Sequence, residues 1–230
     1  MKIIITGASR GIGYGLAKCY HTKGHEVIGI SRTPPESLSH FTSYYYVDLL
    51  QSSAVSDVLD QIRREHSTVY ALINNAGGGI MNSALMTGPD KVDEIMQLNF
   101  RATAQMSRGV ARLMLPKKVG RIVNFSSMAA RGRTMGEAIY GASKAAIETY
   151  TKTASYTFAR FGVTMNAIAP GLVDTDLIAD LPEENVDAII KKQPIQRYGT
   201  IRDIENVIDF FLHKDSGMVT GQIVSLGGPA

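Results

Sequence analysis

The chain has no tryptophan and a single cysteine, Cys19. One thiol excludes an intrachain disulfide and fits a reducing compartment. Cys19 falls in an expected helix and reads as a small core residue, as free cysteines usually are. No apolar run approaches the ~20 residues that a membrane-crossing helix needs. The chain opens on a short strand followed at once by a glycine loop, unlike a signal peptide. Neither sign of charge dominates: 24 Lys and Arg against 21 Asp and Glu leave a net +3. The basic residues are scattered, so they read as solvated surface, and no nucleic-acid partner is expected. The five histidines (21, 25, 40, 66 and 213) show no metal-ligand spacing, and no metal is expected. What remains is 44% hydrophobic and 20% charged over 230 residues, the balance of a soluble, cytoplasmic globular protein with one core.

Apolar strand-like runs alternate with amphipathic stretches. Strands are expected at Lys2–Thr6, Glu26–Ser31, Ser43–Val47, Val69–Asn74, Gly120–Ser126, Val163–Ala169 and Gln222–Leu226. Helices are expected near 11–23, 52–66, 91–114, 138–161, 183–191 and 202–213. The strands are mostly continuously apolar, as in a parallel sheet covered on both faces. The expected fold is therefore α/β: a Rossmann-type, doubly wound, mostly parallel sheet of seven strands with helices on both faces. No linker or internal repeat divides residues 1–230, which read as a single domain. Ligands of such sheets bind at the carboxyl ends of the strands.

The first strand is followed by Gly7-Ala-Ser-Arg-Gly11-Ile-Gly13 and then a helical pattern. Glycines permit a tight turn and close approach of backbone to a pyrophosphate, and the helix N-terminus supplies free N–H groups. The spacing is GxxxGxG rather than GxGxxG. A site for NAD usually ends the second strand in an acid that takes the ribose 2′-OH. Here that strand ends Ser31-Arg32, and Glu26 lies at its other end. Arg32 could pair a 2′-phosphate in bidentate fashion, and Arg10 in the glycine loop is a second candidate. One or both could instead face solvent, but together with the missing acid they favour NADP(H) over NAD(H).

Tyr140 and Lys144 stand four apart in an expected helix and so share a face. A nearby ammonium favours tyrosinate and lowers the phenol's pKa, which makes a general acid/base. Ser127 lies thirteen residues before Tyr140. Asn74-Asn75-Ala76-Gly77, Asn99 and Pro170-Gly171-Leu-Val173-Asp-Thr175 complete the set, with Asp48 at the end of the third strand. In this order and over essentially the whole chain, these motifs resemble the short-chain dehydrogenase/reductase family in its compact form. The overall pattern is most similar to 3-oxoacyl-carrier-protein reductases.

The resemblance implies Tyr140 as proton donor to the substrate oxygen, with Lys144 also holding the nicotinamide ribose. Ser127 would stabilise charge on that oxygen, and Asn99 would anchor a water in a proton relay. The implied cofactor contacts are Gly7, Ser9, Arg10, Gly11, Ile12, Gly13, Ser31, Arg32, Asp48, Leu49, Asn75, Ala76, Gly77, Tyr140, Lys144, Pro170, Gly171, Val173 and Thr175. Asp48 would accept from the adenine amino group; it reads equally as a helix N-cap. Gly171 reads equally as a plain turn residue. Ser126 should point away from Ser127, and Ser143 beside Lys144 reads as packing.

The implied substrate is a small carbonyl compound: a 3-oxoacyl thioester on an acyl carrier protein or coenzyme A, or alternatively a sugar or polyketide ketone. Lys117 and Lys118 could face an acidic carrier or simply be exposed. A homotetramer or homodimer is implied by analogy. A nucleotide-sugar epimerase shares the Tyr/Lys pair but is longer. A non-catalytic NADP(H)-sensing protein typically loses the Tyr or the Lys, and both are present here.

Overall fold

The computed structural model describes all residues except 80, 133, 174–185, 187–189, 192 and 229–230. Seven strands form one sheet: β1 (Lys2–Thr6), β2 (Glu26–Ser31), β3 (Ser43–Tyr46), β4 (Ala71–Asn74), β5 (Gly120–Phe125), β6 (Val163–Pro170) and β7 (Ile223–Leu226). Their order is β3-β2-β1-β4-β5-β6-β7, and every pairing is parallel. The sequence pattern anticipates a mostly parallel sheet; the described strands are wholly so. The chain winds outward from β1 to β3, then crosses to β4 and winds the other way. The crevice at that reversal, above β1 and β4, is where such sheets receive ligands.

Helices α1 (Gly11–Thr22), α2 (Ser52–Glu65), α3 (Pro89–Met96), α4 (Ala102–Met114), α5 (Ala138–Ala159) and α6 (Ile201–Leu212) cover the faces. Alternation along β1 sends Ile4 to one face and Ile3 and Ile5 to the other. Ile4 joins Ile62 of α2 and Met106 and Val110 of α4. Ile3 and Ile5 join Leu16 and Tyr20 of α1 and Ile204, Ile208 and Phe211 of α6. Each such large apolar side chain, fully buried, contributes about 1.5–3 kcal/mol. Cys19 is only partly buried, so it is not the core residue the sequence suggested. Among the described residues no helix is long and apolar enough to cross a membrane. The helix expected near 183–191 lies largely outside the described residues.

Two features at the carboxyl edge were not anticipated. The stretch 91–114 is not one continuous helix: a π-helical turn, Gln97–Arg101, separates α3 from α4, with Ala102 N donating to Gln97 O. Beneath it runs a line of buried polar side chains. Asn74 Nδ2 donates to Ser107 Oγ and to Asn124 Oδ1, each at 2.9 Å. Asn124 Nδ2 donates in turn to Thr151 Oγ1 at 2.9 Å. The line ties α4, β4, β5 and α5 together at one level, and each member's polarity is satisfied by the next.

Asn124→Ala would strand the Asn74 amide and the Thr151 hydroxyl in the core. The expected cost is about 1–3 kcal/mol, read as a drop of about 2–4 °C in midpoint per kcal/mol for a chain of this size. An unchanged thermal midpoint would show that the line carries no stability.

Candidate active site

The glycine loop is shaped by close approach. Gly7 and Gly11 adopt φ of 67° and 54°, the left-handed region that side chains rarely enter. A Cβ at Gly13 would stand 2.2 Å from Gly7 O, and one at Gly7 would stand 2.9 Å from Ala76 Cα. The loop therefore rests on the segment after β4. Asn75 Nδ2 donates to Thr6 O and Gly7 O at 3.1 Å each, and Ala76 N donates to Thr6 Oγ1 at 3.0 Å. Asn75 and Ala76 thus hold the loop in place from below. Helix α1 opens with Arg10 as its N-cap residue, no side-chain cap and no acid in its first turn. That arrangement leaves first-turn amides to an anion and fits a dinucleotide's pyrophosphate.

Around this loop the other expected contacts take varied places. Ser9 Oγ accepts from Thr33 Oγ1 at 3.2 Å, which joins the loop to the turn after β2. Ile12, in the first turn of α1, packs partly buried against the core. The Ser31 hydroxyl donates to Thr33 O and meets Tyr44 Oη, both at 2.5 Å, so it braces the loop that carries Arg32. Arg32 and Arg10 are both exposed. Glu26, at the far end of β2, pairs with Lys2 at 3.2 Å. Asp48 Oδ1 accepts from Leu50 N at 3.0 Å, which caps a turn; the N-cap of α2 is Gln51. Leu49 is buried in the core.

On the nicotinamide side, Gly171 N donates to Leu226 O at 2.9 Å. A Cβ at Gly171 would meet Gln193 Oε1 at 1.9 Å and Leu226 O at 3.2 Å, so the glycine lets the Gln193 amide lie against the chain here. Pro170, Gly171, Val173 and Gln193 line a cavity of about 100 Å³. Val173 bridges to Gly199. Thr175 lies outside the described residues.

The candidate catalytic groups converge. Ser127 follows β5 and is the N-cap of a 3₁₀ turn, accepting from Ala129 N at 3.2 Å, while its hydroxyl lies near enough to the Tyr140 phenol to favour the phenol's ionised form. Ser126 points the other way, into α5, as alternation requires. Lys144 is only 4% exposed. Its Nζ donates to Phe125 O at 2.9 Å and lies 5.7 Å from the centre of the Tyr140 ring. Gly77 approaches the same ammonium: a Cβ there would stand 3.2 Å from Lys144 Nζ.

One expectation is corrected. Burial holds the Tyr140 phenol above its ordinary pKa, the Ser127 hydroxyl offsets part of this, and Glu137 adds to the rise. The anticipated lowering by Lys144 is not what dominates. Burial also lowers Lys144 itself to about 8. The Asn99 side-chain amide is bonded within the protein. Its Oδ1 accepts from Gly78 N at 2.8 Å, and its Nδ2 donates to Gly78 O and Ser143 Oγ at 2.9 Å each. It braces the loop after β4 against α5, and the π turn aims it inward. Asn99 O accepts from Thr103 Oγ1 at 2.7 Å.

Ser143, read from sequence as packing, carries part of this brace: it donates to Tyr140 O at 2.7 Å. Gly141 was missed too. A Cβ there would stand 2.6 Å from Ala129 O, so its absence lets the Ser127 turn ride on α5. The signal was present, since glycine inside a helix costs about 1 kcal/mol and needs a reason. Lys117 and Lys118 precede β5, at the opposite edge from Ser127 in the same chain.

Lys144 gives a pH test. Its folded pKa near 8 lies below the ordinary 10.5. Below pH 8 the folded state must bury a charge that the unfolded state leaves in water, and the penalty is fully present. It is relieved as pH rises from about 8 toward 10.5, because there the unfolded state binds more protons. Lys144→Met should therefore gain on the unaltered protein in denaturant unfolding more at pH 7 than at pH 10. An offset that does not change with pH would place the ammonium in a far more polar setting than the geometry gives.

With this geometry established, the chain can be compared with known proteins. The family model for short chain dehydrogenases matches residues 1–186. The 3-oxoacyl-[acyl-carrier-protein] reductase of Rickettsia prowazekii is 31% identical over 227 residues, covering 98% of this chain and 94% of its own. A putative NAD(P)-dependent gluconate 5-dehydrogenase from Beutenbergia cavernae, solved with bound NADP at low occupancy, superposes with a TM-score of 0.90 at 27% identity. The match covers 97% of this chain and 94% of that one. The structure of ElxO with NADP bound gives 0.88 at 25% identity, over 97% and 96% of the two chains. The chain belongs to the short chain dehydrogenase family and is an oxidoreductase of the CH–OH/C=O class.

Proposed function

We propose that residues 1–230 form one catalytic domain that reduces a ketone to a secondary alcohol with NADPH, and that the ketone is a 3-oxoacyl thioester. The observation that carries this reading is the buried Lys144 ammonium, held by Phe125 O at the end of β5, 5.7 Å from the centre of the Tyr140 ring, with Ser127 following the same strand. When bound, a nicotinamide supplies the hydride. Ser127 accepts from Ala129 N through its oxygen, so its single proton, directed at the Tyr140 phenol in the free protein, can turn to the substrate's carbonyl oxygen once substrate is bound. Tyr140 then gives its own proton to that oxygen as negative charge develops. A phenol held above its ordinary pKa keeps its proton near neutrality, which suits the reducing direction. Lys144 lies close enough to supply positive charge to the tyrosinate left behind, and Asn99 keeps Gly78 and the Tyr140 turn at fixed spacing.

The glycine cradle and uncapped α1 terminus support a dinucleotide, and the exposed Arg32 and Arg10 beside it support a 2′-phosphate. The thioester reading is supported by similarity to the Rickettsia reductase, whose substrate rides on acyl carrier protein. Reduction or oxidation of a sugar acid is the second reading, supported by similarity to the gluconate dehydrogenase. The protein is further proposed to be cytoplasmic and homotetrameric.

The direct assay is oxidation of NADPH and NADH at 340 nm against a ketone panel that includes acetoacetyl coenzyme A and a keto-sugar acid. Fast NADPH-dependent loss with the thioester is expected; turnover confined to the sugar acid would replace the first reading with the second. Tyr140→Phe should lower kcat by about 10²–10⁴-fold while NADPH still binds, and wild-type turnover would remove Tyr140 from the chemistry. Arg32→Asp should weaken NADPH about 10–100-fold, the loss of one charge-assisted contact, and leave NADH nearly unchanged. An unaltered preference would shift the phosphate contact to Arg10.

A further inference from the structure

Ser127 lies in the loop between β5 and α5, and its place relative to Tyr140 depends on how that loop is fastened. Glu148 stands one turn beyond Lys144 on α5 and is 7% exposed. A carboxylate so buried must be paired and hydrogen-bonded. Its Oε1 accepts from Ser126 Oγ at 2.9 Å. Its Oε2 accepts from Arg131 Nε at 3.1 Å, and Arg131 Nη2 lies 3.1 Å from the same oxygen. Ser126 immediately precedes Ser127, and Arg131 follows it by four residues. Both flanks of Ser127 are therefore tied to one carboxylate on the helix that carries Tyr140 and Lys144.

Two further contacts stiffen the arrangement. Ser126 Oγ also lies 3.3 Å from Lys144 O. Arg131 Nη1 donates to Ser225 Oγ at 2.9 Å, which anchors the far side of the guanidinium to β7. The turn between the two flanks rests on Gly141.

We infer that Glu148 and Arg131 are positioning residues that hold the Ser127 hydroxyl at the Tyr140 phenol. This rests on the ketone-reduction reading. Their contacts described above are with Ser126, Ser225 and each other rather than with the glycine loop, so their loss should act on turnover and spare dinucleotide binding. Glu148→Gln keeps the acceptor for Ser126 but sets an amide or an uncharged oxygen against Arg131. Arg131→Met removes the other half of the tie while leaving Glu148 and Ser126 in place.

The test uses the NADPH-loaded enzyme and the best ketone from the panel. Each single variant is expected to lower kcat about tenfold, with the NADPH dissociation constant within twofold of the unaltered protein. The double variant should lose no more than the worse single, because both act through one tie. Glu148→Asp should recover part of the loss. Singles within twofold of the unaltered kcat, or a double that multiplies the two losses, would overturn the inference. So would a loss of NADPH binding equal to the loss of turnover, which marks general damage. Should Glu148→Gln fail to fold, Arg131→Met at the surface end decides. Hydrogen exchange of the peptide spanning 126–132 separates this from failure of the function itself. Faster exchange in both variants supports the tie even if no ketone is turned over, and unchanged exchange refutes it.

Discussion

An ammonium closed off from water organises the carboxyl edge of this sheet. Lys144 is buried with a main-chain carbonyl, Phe125 O, as its hydrogen-bond acceptor. Burying a charge without a carboxylate is costly, and the lowered pKa of the group reflects that cost. The site tolerates it because several elements close around one point. The end of β5 supplies the carbonyl, Gly77 after β4 comes close for want of a side chain, and Asn99 pins the adjoining Gly78. Strain of this kind is what stability would remove and chemistry retains.

The polar framework beneath the site explains how the strand ends stay aligned. In a parallel sheet the backbone ladder fixes register, here Asn74 opposite Asn124. The side chains of those two residues then carry the register outward to Ser107 and Thr151 on the covering helices. Helix α4, which follows Asn99, and α5, which carries Tyr140 and Lys144, are thus referenced to the same pair of strands. A fully satisfied polar line specifies relative height more sharply than apolar packing, which tolerates sliding.

Much of this was legible in the sequence, and the reasons are local. Strands announce themselves by apolar runs, the glycine loop by its place between β1 and α1, and Tyr140 with Lys144 by helical spacing. Ser126 and Ser127 were separated by simple alternation. The unread part depends on residues distant in sequence. Nothing near Ser31 reveals that Tyr44 will take its hydroxyl, and nothing near Glu148 reveals Arg131 and Ser126. The phenol's raised pKa was missed because burial is a property of the whole fold, whereas a lysine four residues away is visible in the string. Asn99 and Gly141 were half-legible: each is a poor helix residue in a helical stretch, but only the folded chain shows what each touches.

The π turn at Gln97–Arg101 has a consequence for how this segment can change over time. It inserts one residue into the helical count, so the faces of α3 and α4 are out of phase by about 100° relative to an unbroken helix. Asn99 points at Gly78 and Ser143 only because of that offset, while Met106 and Val110 still reach the core beyond it. Removing any single residue between Pro89 and Thr103 would restore a regular helix and rotate one face or the other out of place. A change in the length of this segment would therefore disturb the site as surely as the loss of Asn99 itself.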